Sequence, residues 1–272
     1  MSDDRFVRAF DTASSDFERL GQYLWKPVGQ ATVELTGPAE GQRVLDACCG
    51  NGASAIPAAR RVGAQGLVDA VDMSAGMIGE LRSLAAGLPQ LHAHVADVAS
   101  WPGSGYDVVQ AVLGVFFFPD MAAGTEHLVS RAAPGGRVGV TIWRRGAVEA
   151  AGTHLRDAVA TVTGTAPAKR PTGPIDAVNE AGAFRDWLAD RGLDDVAVTT
   201  HELRLHLTPE VAWLLVTGSG YVAALSGLDP AAIGRVREAY LDSLYRSGTD
   251  ELDATTLIGV GTRAVSRRSS AG

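Results

Sequence analysis

Glycines and carboxylates placed just past strand ends carry the first chemical signal in this chain. The run Val44-Leu45-Asp46-Ala47-Cys48-Cys49-Gly50-Asn51-Gly52 reads as a short buried strand that closes in a Gly50-x-Gly52 turn. Without a Cβ, such a turn lets a ligand lie against bare backbone. The helix expected from Ala53 to Arg61 aims its free N–H groups and positive dipole end at the same spot. Asp72 ends the second expected strand, twenty positions after Gly52. A carboxylate there can accept both hydroxyls of a ribose. Asp97 follows the third strand, where an adenine amino group could be read. Together the three features point to an adenosine ligand. A dinucleotide would call for a third glycine after the turn, but Ala53-Ser54-Ala55 stands there, and no Gly-Lys-Ser/Thr run serves a triphosphate. The turn fits a short zwitterionic tail.

The elements that must position these residues alternate along the chain. Phe6, Phe10, Phe17, Leu20 and Leu24 recur at helical spacing within residues 5–36. Trp25-Lys26-Pro27 breaks that pattern, and a further helix is expected from Val28 to Leu35. Strands are expected at Val44–Cys48, Gly66–Val71, Leu91–Val95, Tyr106–Leu113 and Arg137–Trp143, the last after a Pro134-Gly135-Gly136 turn. Helices are expected at Ser74–Ala86 and Met121–Ala132 between them. This rhythm argues for an α/β fold with a parallel sheet covered on both faces. Beyond Trp143 come helical Gly146–Val162, a loop over Thr163–Pro174, a helix over Asp176–Arg191 and a strand over Asp195–Leu207. Thr208-Pro209 and Asp229-Pro230 start two more helices, with a capping side chain before a first-position proline. Thr255–Arg263 is the seventh expected strand.

The motif order resembles the class I S-adenosylmethionine-dependent methyltransferases over residues 40–145. It runs Val44-Leu45-Asp46-x-x-Cys49-Gly50-x-Gly52, Val71-Asp72-Met73-Ser74, Ala96-Asp97, Tyr106-Asp107-Val108-Val109 and Pro134-Gly135-Gly136-Arg137. It is most similar to the small-molecule group of ubiquinone/menaquinone-type and actinobacterial natural-product enzymes, to which Trp213-x-x-x-x-Gly218-Ser219-Gly220 is also similar. The resemblance implies a Rossmann-like, seven-stranded, mostly parallel sheet with helices on both faces. A helical cap would come from the N-terminus and from the insert between the last two strands. The expected division is 1–39 cap, 40–207 cofactor-binding core with a 146–175 insert, 208–250 cap insert, and 251–272 last strand and tail. The implied cofactor is S-adenosyl-L-methionine. Gly50 and Gly52 would approach its methionine part, Asp46 would support the turn, and Asp72 would bind the ribose. Met73 would pack on the adenine face, Asp97 and Val98 would read the adenine edge, and Leu113 would mark the boundary with the acceptor. The family usually has glycine where this chain has Cys48, a residue small enough for the turn but restricted in backbone.

The implied activity is methyl transfer to an oxygen or carbon of a small, rather apolar acceptor. The alternative is a related enzyme that binds the cofactor yet catalyses a cyclisation or another non-methyl reaction. Positioning does most of the work in such a transfer, and an oxygen acceptor also benefits from a base, usually histidine. Of His92, His94, His127, His154, His201 and His206, His154 follows strand five in the insert and is the expected base. Phe116 after strand four, with Tyr23, Trp143, Trp213 and Tyr221, would contact the acceptor. No histidine pair has metal-ligand spacing, so no metal is expected.

Composition bounds the rest. At 272 residues and 46% hydrophobic, the chain can fold as one large domain or a domain plus cap. A net charge of -7 offers no basic stripe for nucleic acid. Adjacent Cys48 and Cys49, without other thiols, fit a reduced, cytoplasmic setting, and the start Met-Ser-Asp-Asp-Arg does not read as a signal peptide. The apolar run Ala111 to Pro119 is too short to span a bilayer. The expected partner is the small-molecule acceptor alone, with the chain a monomer or homodimer.

Overall fold

The computed structural model describes residues 15–165 and 173–265. The helical positions expected before residue 15, the middle of the Thr163–Pro174 loop and the last seven residues lie outside these. The first described elements are a helix over residues 15–21 (α1) and α2 (Trp25–Thr36). Then follow β1 (Arg43–Ala47), α3 (Ala55–Val62), β2 (Leu67–Asp72), α4 (Ala75–Leu84), β3 (Leu91–Val95) and β4 (Tyr106–Val112). Next come α5 (Met121–Arg131), β5 (Ala132–Trp143), α6 (Glu149–Thr163), α7 (Ile175–Val178), α8 (Ala181–Ala189) and β6 (Leu193–His201). A short β7 (Arg204–His206), α9 (Pro209–Thr217), α10 (Pro230–Ser247), β8 (Glu251–Asp253) and β9 (Thr256–Arg263) complete it.

Seven strands form one sheet in the order β3-β2-β1-β4-β5-β9-β6. β3, β2, β1, β4 and β5 pair in parallel, while β9 is antiparallel to both β5 and β6. Strands covered on both faces must be apolar throughout, and Val44, Leu45, Val68, Val71, Val108 and Val109 are all fully buried. The chain order reverses between β1 and β4. In an open sheet the crevice at the carboxyl ends of such strands is where ligands lie.

Four boundaries differ from the sequence reading, each for a local reason. Helix α2 begins at Trp25, because Pro27 falls in the first turn, where a backbone N–H has no intrahelical partner to lose. The expected strand over 195–207 is two strands: β6 stays in the main sheet, and β7 pairs with β8 in a separate ribbon. The helix expected over 176–191 is interrupted at Asn179, whose carbonyl and Oδ1 accept from Arg145 N and Nε at 2.9 and 3.1 Å. Strand β5 runs through Pro134-Gly135-Gly136 rather than starting after it, and its register against β4 shifts between Tyr106 and Val108. A proline is tolerated at such an irregularity.

Three apolar clusters hold these layers. One lies under α5 and α8, and a second under α3 and α4 on the opposite face. The third belongs to a cap. It joins Leu20 of α1, Leu155 of α6, Leu215 of α9, Val236 and Tyr240 of α10, and Leu252 of β8. Burying each such side chain contributes about 1.5–3 kcal/mol, so the cap is held by its own core. Helix α2 is drawn tight behind the glycine turn at Gly29, where a Cβ would stand 2.5 Å from the Ala53 carbonyl oxygen. Because that neighbour is backbone, Gly29→Ala must push α2 away from the start of α3. It should cost about 1–3 kcal/mol, read as a lower urea midpoint.

Candidate functional site

The carboxyl ends of β1, β2, β3 and β4 open into one cavity of about 1620 Å³. Ligand pockets usually measure roughly 300–1,000 Å³, so this one has room for two ligands side by side. One end is walled by the glycine turn, Asp72 and Asp97, and the other by cap residues, including Trp143, Leu155 and Tyr221.

Backbone geometry shapes the first end. Cys48, Gly50 and Gly52 have φ of 55°, 51° and 95°. These left-handed residues throw the chain out of β1 and up over the strand ends. Gly50 N donates to Asp72 Oδ2 at 2.9 Å, and Ser74 N donates to Asp72 Oδ1 at 2.9 Å. A carboxylate has about four lone-pair positions, so an oriented Asp72 retains acceptor capacity towards a diol. Met73 and Val98 line the same wall, and Asp97 accepts from Ala99 N at 2.9 Å. Oriented carboxylates, flanking apolar side chains and a Cβ-free turn make a donor set that fits an adenosine joined to a zwitterionic tail.

Cys48 has a structural counterpart. A Cβ on Gly114, just past β4, would lie 2.4 Å from the Cys48 Cβ. The thiol therefore occupies space that Gly114 leaves open, and the neighbouring Leu113 is itself left-handed at φ 54°. Burial, followed by the nearby Asp72 and Asp46 carboxylates, pushes both cysteine thiols up. They are protonated at neutral pH, which leaves them packing rather than nucleophilic roles. Gly114→Ala should weaken adenosyl-ligand binding, and adding Cys48→Gly should recover most of the loss. The coupling expected between such neighbours is about 1–3 kcal/mol, measured by calorimetry on the two single variants and the double.

Asp46 lies beneath the turn rather than on the cavity wall. Its Oδ2 accepts from Ser54 Oγ at 2.7 Å, whereas Oδ1 meets no hydrogen-bond partner among the described residues. Burial pushes its carboxyl up to about 7, against the lowering effects of Ser54 and Gln110. The folded state thus prefers the protonated form. This contribution is complete below the ordinary value of 3.8 and is lost as pH rises through about 7. The ligand-free protein should therefore have a higher urea midpoint at pH 5 than at pH 8, and Asp46→Asn should flatten that difference.

The remaining residues singled out from the sequence divide by position. Leu113, Phe116, Trp143 and Tyr221 line the cavity, with the Tyr221 hydroxyl donating to Val148 O at 2.7 Å. Gly52 is turned towards Leu81 and Ile56. Tyr23 is on the surface, and Trp213 packs in the cap core, 6.4 Å from the Tyr240 ring. His154 is turned away from the cavity towards α10, its Nδ1 2.8 Å from Ser243 Oγ, which removes it from reach as a base. The other five histidines also lie off the cavity wall.

Sequence reasoning missed the closure over the turn. Phe17 of α1 lies 3.5 Å from where a Gly50 Cβ would be, and stacks on Trp25 with ring centroids 4.9 Å apart. Glu18 accepts from Asn51 Nδ2 at 2.6 Å and from Lys26 Nζ at 2.7 Å. The helical spacing marked Phe17 as apolar, but nothing local marked its neighbour. Arg156 and Thr153 on α6 were missed as well, and both line the cavity where the cap closes on it.

A family described as a methyltransferase domain matches residues 44–136. Aklanonic acid methyltransferase DauC of Streptomyces sp. (strain C5) is 37% identical over 139 residues, covering 50% of this chain and 63% of that protein, just under two thirds of its length. Nocamycin O-methyltransferase of Saccharothrix syringae is 31% identical over 198 residues, covering 64% of this chain and 70% of that one. Among solved structures, the YcgJ protein from Bacillus subtilis superposes with a TM-score of 0.57 at 10% identity, over 87% of this chain and 98% of that one. At that identity the likeness establishes the fold.

Proposed function

The chain belongs to the S-adenosylmethionine-dependent methyltransferase family, and we propose that it methylates an oxygen atom of an extended, largely apolar small molecule of the natural-product kind. The observation that carries this reading is one continuous cavity that runs from the glycine turn, Asp72 and Asp97 to the aromatic side chains under the cap. When bound, the cofactor supplies an electrophilic methyl group on a sulfonium, and transfer is a direct displacement with inversion at the methyl carbon.

The chain's own residues bind and orient. The Cys48–Gly50 backbone meets the methionine tail, Asp72 takes the ribose hydroxyls, and Asp97 with the Val98 backbone meets the adenine edge. Leu113 and Phe116 mark where the methyl group would face the acceptor. Trp25, Trp143 and Tyr221 add aromatic rings to the cavity wall; Trp25 and Trp143 are 6.4 Å apart by ring centroids. Holding the two partners in line, with water excluded by these rings, is what displacement at a methyl carbon needs. The names of the two relatives, one acting on an acid and one an O-methyltransferase, support oxygen over carbon.

A cytoplasmic site of action is part of the reading. It is supported by two cysteines that form no disulfide, and among the described residues no helix is long and apolar enough to cross a membrane. The net charge of -7 favours a small-molecule partner over nucleic acid. Replacing Asp72 by Ala should weaken S-adenosylhomocysteine binding roughly 100-fold, because two hydrogen bonds to a charged group are lost. Calorimetry measures this, and near-native affinity would contradict the assignment. Oxygen transfer is read by incubating the enzyme with S-adenosylmethionine and polycyclic aromatic acids and phenols. S-adenosylhomocysteine and an O-methyl product are expected, whereas a carbon-methylated product would redirect the reading to carbon.

A further inference from the structure

Arg156 holds a position on the cavity wall that the cofactor reading leaves unexplained. It is half-buried on α6, on the helix face that also carries Gly152 and Thr153. Its one hydrogen bond is from Nη2 to Thr153 Oγ1 at 3.1 Å, and among the described residues no carboxylate comes within ion-pair distance. The other arginine on this wall, Arg144, is satisfied by Asp253 at 2.5 Å. The cavity carboxylates are engaged elsewhere. Asp120 and Asp97 accept from backbone N–H groups of the segments they begin, and Asp72 and Asp176 accept from Gly50 N and Gly173 N. Glu149 lies seven residues earlier on α6, about 10 Å along the helix axis. A guanidinium that lines the cavity without an anion keeps its charge and its remaining N–H donors available to a ligand.

We propose that the acceptor is an organic anion, and that Arg156, steadied by Thr153, binds its acidic group: a carboxylate or a comparably acidic enol or phenol oxygen on an apolar ring framework. The proposal rests on the acceptor-site reading above and narrows it to acids. A second observation bears on it independently. All six histidines lie off the cavity wall and both cysteine thiols are held protonated. An acceptor that enters already ionised needs no side chain to remove its proton. Planar guanidinium also suits a planar carboxylate, which it can meet through two parallel hydrogen bonds.

The test uses a matched pair of fluorescent probes with one ring system. 1-Anilinonaphthalene-8-sulfonate carries an anionic group, and N-phenyl-1-naphthylamine lacks it. Each is titrated into the full-length protein, with and without S-adenosylhomocysteine. Wild type should bind the sulfonate about tenfold more tightly than the neutral probe, as expected for one charge-assisted contact. Arg156→Gln should erase that preference while leaving the neutral probe's affinity unchanged, and Arg156→Lys should retain part of it. Arg235→Gln, a change at an exposed arginine on α10, should alter neither. Equal wild-type affinity for the two probes, an undiminished preference in Arg156→Gln, no binding of the sulfonate, or loss of both probes together would overturn the proposal. Failure of S-adenosylhomocysteine itself to bind would count against the cofactor reading, while the probe pair still reports on Arg156.

Discussion

The hydrogen bond from Gly50 N–H to the Asp72 carboxylate joins the ends of two adjacent parallel strands, and the binding cavity is organised around it. Parallel strands leave their terminal backbone groups pointing into the crevice, where something must satisfy them. Here one carboxylate takes the turn after β1 and, through Ser74 N, the start of α4. Each hydrogen bond to a charged group contributes about 1.5–3 kcal/mol, enough to hold the left-handed path through Cys48 and Gly50 against its conformational cost. Asp72 is thereby aimed before any ligand arrives. The same arrangement exposes bare backbone at Gly50, so the geometry that stabilises the turn also creates its binding surface.

The cap answers a different constraint. A cofactor site at strand ends faces solvent, and a displacement reaction there needs a dry partner chamber. Segments far apart in sequence build a cap beside the strand ends by sharing one apolar core, from Leu20 to Leu252. Because α1 belongs to that core and also presses Phe17 over Gly50, the cap wall of the cavity and the cover of the glycine turn are parts of one packed unit. Gly218 tightens the arrangement: a Cβ there would stand 2.5 Å from the Asp16 carbonyl oxygen. Closure and acceptor shape are thus mechanically linked.

The legible parts of the sequence were those where local pattern and tertiary position coincide. Val44–Ala47, Asp72 and Asp97 could be placed because each follows directly from the end of a strand that alternation with helices already implied. The sheet of seven strands was legible for the same reason. The cap was not. His154 and Arg156 are two residues apart on α6, which turns them about 200° from each other. Which of them meets the cavity depends on how α6 docks on α10, and no local feature encodes that. Trp213 and Tyr221 show the same ambiguity: both are aromatic and both pack against the cap core, yet of the two only Tyr221 also lines the cavity. Cys48 was visible as an irregular turn residue, but its complement Gly114 becomes meaningful only when β1 and β4 lie side by side.

The central claim is that one cavity holds the adenosyl ligand at the strand ends and turns its sulfur towards the chamber under the cap. A crystal structure of the protein with S-adenosylhomocysteine tests this most directly. The account predicts both ribose hydroxyls within hydrogen-bond distance of Asp72, the carboxyl end of the ligand against the Gly50 backbone, and the sulfur open towards Phe116 and Trp143. A ligand bound outside this cavity, or seated in it with its sulfur directed away from those residues, would contradict it.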